Sequence, residues 1–185
     1  MKHAAVVAAL LCLAACIPVD DFGPYWNLAS IDRRLVGDWK LVAATPEQTS
    51  SGGYGIGDVM RIAIKGDAYE LTPLDEAGKQ RDDPLYPAKT LVVGPYRFLA
   101  YGPTDGLMEP YRLEGRTLTF CAQFGPAMVD FMAARYPNAL NIGRNEGEGR
   151  YVVIKQFDDE VFKALASIPN TSSYWVCHRK YERAR

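Results

Sequence analysis

The stretch Leu35-Val36-Gly37-Asp38-Trp39-Lys40-Leu41-Val42-Ala43 sets the fold class of this chain. Trp39, Leu41 and Ala43 alternate with Asp38, Lys40 and Val42, the period of a strand that buries one face and wets the other. Similar segments follow at short intervals. In residues 59–65, Met60, Ile62 and Ile64 share one face while Arg61, Ala63 and Lys65 share the other. Gly66-Asp67 then turns the chain into a second strand over 68–72. Residues 73–87 are charged and bounded by prolines, which predicts a loop. Residues 89–93 and 96–101 read as strands around Gly94-Pro95, and 110–114 and 116–123 as a hairpin around Gly115. Further strands are predicted over 150–156 and 173–181.

Two helices interrupt this pattern late in the chain. Pro126 suits a first helical position, and residues 127–136 carry Met128, Val129, Phe131 and Met132 with no breaker before Pro137. That stripe fits either plain core or a lid over a cavity. Residues 138–149 read as an irregular polar connection. Asp158-Asp159-Glu160 opens the second helix, acidic where the helix dipole favours it. Its buried face carries Val161, Leu165 and Ile168, and Pro169 ends it. Ahead of the first strand, residues 27–35 read as a short helical turn with Ser30 as its N-cap. About nine short strands with two late helices predict a mainly β fold, an antiparallel barrel closed or half-closed, with a sandwich as the alternative.

A short helical turn followed by Gly37-x-Trp39 on the first strand resembles the opening of the lipocalins and their calycin relatives. The resemblance implies that Trp39 plugs one end of the barrel and that a cation near the end of the last strand, Arg179, packs over it. It also implies an interior for a small apolar or amphipathic ligand, lined by Met60, Ile62, Ile64, Leu118 and Phe120. The glycine-rich loop 45–58 would stand at its mouth. The same five side chains serve a solid core equally well.

The N-terminus reads as export machinery. Lys2 precedes an apolar run over 4–13 and a small residue, Ala15. The run is shorter than the roughly 20 residues that span a bilayer. Leu13-Ala14-Ala15-Cys16 resembles the lipobox of bacterial lipoproteins. That likeness implies a diacylglycerol on the Cys16 thiol, cleavage before Cys16 and acylation of the new amino group. Cys12 follows Leu11, which is too large for the cleavage pocket. The plainer alternative is an ordinary signal peptide with a cysteine there by chance. Ile17 stands where enteric-type lipoproteins held at the inner membrane carry Asp, so the likeness implies the outer membrane, with the domain in the periplasm. The expected organisation is a signal peptide over 1–15, a tether over 16–26 marked by Pro18, Gly23 and Pro24, and one β-rich domain over 27–185.

Composition narrows the function classes. The formal charge of -1 becomes -2 once Lys2 is removed, so no basic field exists to hold nucleic acid. Apolar content of 48% with eleven Tyr and three Trp supports a packed core. Removal of His3 leaves His178 as the lone histidine, which argues against His-based metal sites and His-dependent triads. Beside Cys177 near a strand end, His178 reads as a surface residue. The glycines of 45–58 are followed by a strand, not the helix a phosphate cradle needs. No enzyme, cofactor or metal is therefore expected.

Cys121 and Cys177 are the cysteines left after export and lipidation. In an oxidising compartment such a pair forms a disulfide, the alternative being two separate buried thiols. Cys121 shares its strand face with Thr117 and Thr119, and Cys177 shares its face with Trp175 and Arg179. That side is either an outer face covered by the first helix, or a partly polar interior, or is broken by a bulge. Two functions fit: a ligand-binding barrel, or a structural or interaction lipoprotein with an envelope protein as partner, inhibitors included. A pocket of about 300 Å³ or more would separate them. Anchoring itself is testable. Acyl chains contribute about 0.8 kcal/mol per buried CH₂, so Cys16→Ser should abolish lipid labelling, block maturation and release the chain from the membrane fraction. Wild-type processing and fractionation of that variant would contradict the lipobox reading.

Overall fold

Trp39 and Leu41 are both buried and Lys40 and Val42 are exposed, so the alternation that predicts the first barrel strand holds across its centre. The computed structural model describes residues 17–19, 23–46, 49, 55–81, 87–103, 106–122, 126–137, 140–145, 149–154, 159–168 and 176–184. In chain order these form β1 (Ile17–Val19), α1 (Gly23–Trp26), a 3-10 turn (Arg33–Leu35), β2 (Gly37–Ala44), β3 (Val59–Lys65) and β4 (Ala68–Leu74). Then come β5 (Ala88–Val93), β6 (Tyr96–Tyr101), β7 (Gly106–Glu114), β8 (Thr117–Ala122) and α2 (Pro126–Arg135). The last are β9 (Leu140–Asn145), β10 (Gly149–Ile154), α3 (Asp159–Ser167) and β11 (Val176–Arg183).

Eight of these strands close an antiparallel barrel in the order β2-β3-β4-β5-β6-β7-β8-β11, with β11 returning to β2 and β6 pairing with β7. α2 and α3 are inserted between β8 and β11, as expected. The remaining strands, β1, β10 and β9, branch from the top of β7. The fork explains Pro110. Gly106 to Met108 pair with β1 and Tyr111 to Glu114 pair with β8, so Pro110 falls between two ladders, where its missing N–H leaves no bond unmade. Pro73 is accommodated in a similar way. β4 and β5 share one pair, Tyr69 with Ala88, so beyond it β4 behaves as an edge strand and runs on through Pro73 to Leu74.

Several expectations are corrected. Ile17–Val19 belongs to the expected tether, yet it is a strand with Val19 fully buried, and α1 stacks Tyr25 on Phe162 of α3. Residues 140–145, within the expected irregular connection, pair with β10 from Leu140 opposite Ile154 to Asn145 opposite Gly149. Asp32, not Ser30, caps the 3-10 turn, its carboxylate accepting from the Arg34 amide at 3.1 Å. Ser30 instead bridges to Thr90 of β5. Ala43 is exposed and Ala44 faces the core, because a bulge against β11 shifts the register after Leu41 and reverses the parity. Residues 1–16, with the expected signal peptide and Cys16, lie outside the described residues, as does Trp175.

Two cores result. The barrel interior holds Trp39, Leu41, Met60, Ile62, Tyr69, Leu99, Tyr111, Leu118, Phe120 and Tyr181. A second core lies on the outer face of β5 and β6, where Leu91, Val93 and Phe98 meet Val161 and Leu165 of α3 and Ile168 just after it, with Met132 of α2. Met132 and Phe131 of α2 thus belong to a core outside the barrel. α3 comes so close to the β5–β6 turn that a Cβ on Gly94 would lie 2.9 Å from the Ala166 Cβ, and Gly94 has φ +56°.

Cys121 and Cys177 sit directly opposite on β8 and β11 and form a disulfide. Leu118 and Phe120 point inward, so Cys121 lies on the outer face, and a bulge after Cys177 breaks the alternation. The bridge contributes roughly 2–4 kcal/mol by restricting the unfolded chain. Ile62 is fully buried in the barrel interior, level with the start of β2 at Gly37. Ile62→Trp should lower stability by about 1–3 kcal/mol through overpacking, read as a fall in the denaturation midpoint. An unchanged midpoint would reveal spare room on the axis.

Candidate functional site

The two ends of the barrel differ because the strands alternate in direction. The β3–β4, β5–β6 and β7–β8 connections are tight turns at Gly66-Asp67, Gly94-Pro95 and Gly115-Arg116, and all lie at one end. The other end carries the connections spanning 45–58, 75–87, 102–105 and 123–175. The short-turn end is closed by Trp39, whose accessible surface is 0%. Its indole Nε1 donates to the Leu35 carbonyl at 2.7 Å. The cation above it is Arg183, 4.6 Å from the ring centroid, and not Arg179. Arg183 also donates to the Val36 carbonyl at 3.0 Å and to the Arg34 carbonyl. Gly37 fits this arrangement: it has φ +136°, and a Cβ there would lie 3.1 Å from the Arg183 Nη1. A chain of hydroxyls runs inward from the turn, Tyr69 to Thr90 at 3.0 Å and Thr90 to Tyr111 at 3.1 Å. Burial pushes both phenols above their ordinary pKa, so they stay protonated donors.

Of the expected lining residues, Met60, Ile62, Leu118 and Phe120 are buried in the barrel. Ile64 is not. It is 40% exposed, because it stands next to the β3–β4 turn and extends past Gly37, where β2 begins opposite Ile62. The void beside Met60, Leu74 and Tyr181 measures about 10 Å³, room for one water.

A buried polar cluster lies toward the long-connection end. β11 bulges against β8, so that Cys177, His178 and Arg179 face only Cys121 and Phe120, and His178 and Arg179 both turn inward. They converge on Glu109 of β7, 1% exposed. Arg179 donates to Glu109 Oε1, His178 Nε2 lies 3.2 Å from the same oxygen, and the Tyr101 hydroxyl donates to Oε2 at 3.1 Å. Arg179 also sits 5.0 Å from the Phe120 ring centroid. Burial would raise the Glu109 pKa, but the Arg179 charge and the His178 hydrogen bond outweigh it and hold the carboxyl below its usual range. A carboxylate only accepts, so His178 Nε2 carries the hydrogen. Nδ1 is then a buried nitrogen with no hydrogen-bond partner among the described residues. His178, expected at the surface, is 5% exposed.

The mouth connections are pinned at Asp58. Its carboxylate accepts from the Gly55 amide and from Arg81 Nη2, both at 2.6 Å, tying the β2–β3 connection to the β4–β5 connection. The described residues hold no group of three or more His, Cys, Asp or Glu that could bind a metal. No helix of the described residues is long and apolar enough to cross a membrane. Compared with protein-family models, curated proteins and solved structures, the chain matches none.

Glu109 is the residue that the sequence reading missed. Its signal is the segment Met108-Glu109-Pro110-Tyr111, an acid inside an otherwise apolar strand, hidden once Pro110 is taken as the strand's start. Glu109→Ala should lower stability by about 3–5 kcal/mol, because it removes the carboxylate that Arg179 donates to and leaves that buried charge uncompensated. Replacing both residues with apolar side chains should recover most of that loss. The sign with pH follows from the depressed carboxyl. Its contribution is complete above the unfolded-state pKa of about 4.3 and is lost as pH falls through the lower folded value. Glu109→Gln should therefore flatten the acid limb of a stability–pH curve. A variant limb as steep as that of the parent protein would contradict the assignment.

Proposed function

We propose that this protein is a bacterial lipoprotein, anchored by acylated Cys16 in the outer membrane, whose periplasmic barrel is an interaction module for an envelope protein. The anchor rests on Leu13-Ala14-Ala15-Cys16 and on the charged and apolar segments before it. The observation that favours a protein partner is the single buried cluster inside the barrel, to which Trp39, Leu41, Ile62, Leu118 and Phe120 all belong. A filled barrel offers rigid end loops rather than an apolar pocket of about 300 Å³. The four long connections at the mouth would then carry the contacts, as loops held by a rigid scaffold do elsewhere.

The second reading is an amphipathic small molecule, and one observation favours it: the Nδ1 of His178 beneath the mouth, which has no hydrogen-bond partner among the described residues. Titration with an apolar fluorescent probe separates the two. An interaction module should show no saturable binding, while crosslinking in the native envelope should join a protein to the mouth connections. Saturable probe binding that His178→Phe weakens, with no crosslinked protein, would favour the ligand.

A further inference from the structure

We propose that the outer face of β2, β11 and β8 lies against the phosphate-bearing headgroups of the membrane that holds the anchor. The proposal rests on the lipidation of Cys16 argued above and adds an orientation to it. β1 begins at Ile17, so consecutive Cα spacing allows Cys16 no more than about 3.8 Å from the first paired residue of the domain. Ile17 pairs with Met108, and β7 passes from β1 to β8 between Met108 and Tyr111. The acyl chains therefore leave the domain near the fork where β8 joins the barrel. No ten-residue tether lifts the barrel away, because Ile17–Val19 is built into the sheet and Val19 into the core.

The wall beside that fork differs from the opposite one. The outer face of β5 and β6 is covered by α3. On β2, β11 and β8 the outward residues Lys40, Val42, Lys180 and Glu182 are exposed. A groove of about 440 Å³ runs along this wall, lined by Lys40, Val42, Arg116, Thr117, Glu182, Arg183 and Ala184. Lys40, Arg116 and Lys180 stand there against the carboxylate of Glu182, while the Arg183 guanidinium is held over Trp39 at the barrel's end. Flanking Asp38 is paired with Arg61 at 2.8 Å. A chain of net charge -2 after export thus gathers local positive charge on a wall that starts at β8, the strand beside the fork. Cations held at an anionic surface attract it over about a Debye length, and Val42 offers an apolar contact among them.

The test uses the mature, acylated protein in vesicles of phosphatidylcholine with phosphatidylglycerol, and in phosphatidylcholine alone. With Cys16 acylated and Cys121 bonded to Cys177, an introduced cysteine is the one reactive thiol. An environment-sensitive fluorophore is attached in turn at Val42→Cys on this wall, Ile56→Cys at the mouth and Val92→Cys at the short-turn end. The expected result is blue-shifted emission at position 42 alone, in the anionic vesicles alone, reversed by high salt. Lys40→Glu with Lys180→Glu should abolish the shift while the protein still floats with the vesicles. Floating protein with no shift at 42, or with the same or a larger shift at 56 or 92, overturns the orientation and leaves the anchor intact. Protein that fails to float overturns the anchor and the orientation with it.

Discussion

The stack of Arg183 over Trp39 is the contact on which the barrel's closure depends. It joins three parts of the chain that are far apart in sequence: the 3-10 turn, the first barrel strand and the last. The indole N–H is satisfied by Leu35, and the guanidinium by the carbonyls of Arg34 and Val36, so the plug holds no unmade polar bond at its centre. Arginine suits the position better than lysine, because a planar fork can lie on a ring and bond two carbonyls at once. With that end sealed, tight turns suffice there, and every long connection is left to the other end.

The interior is apolar around the plug and polar above it. Glu109, Arg179, His178 and Tyr101 form a network that a hydrophobic core would replace without loss of stability, since a buried ion pair loses about as much in hydration as it gains in attraction. Its geometry depends on a bulge that turns two successive side chains of β11 the same way. Bulges of this kind bend a strand and re-aim its side chains. The Cys121–Cys177 bridge lies beside it and fixes the register of β8 and β11 where the alternation breaks.

The barrel itself was legible from the sequence. Alternation in 37–42 and 59–65, glycine turns and two helix starts predict a mainly β barrel, and two leftover cysteines suggest a bridge. Much of what escaped the reading has one physical cause, the local break in a ladder. Pro73 and Pro110 look like breakers, yet each sits where a neighbouring strand is missing. A bulge reverses the parity at Ala43, so period-2 reasoning puts it inside, and a second bulge turns His178 and Arg179 inward together, although a histidine near a strand end reads as surface. The cation over Trp39 is placed at Arg179 when the last strand is stopped at Tyr181, and two more residues of strand bring Arg183 to it. Ile64 keeps its alternation but runs past the barrel's end. The site at Glu109 needed contacts between β7 and β11, which no local pattern encodes.

A solid barrel and a hollow one share the same strands, so the distinction lies in the space between Ile62, Leu118 and Phe120. Xenon under pressure probes it directly, because the gas enters dry apolar cavities and leaves packed cores empty. A filled axis should show no xenon site among those three side chains, by crystallography or by shifts of their methyl and ring resonances. An ordered xenon atom between them would contradict the filled axis and return the barrel to the class of small-molecule carriers.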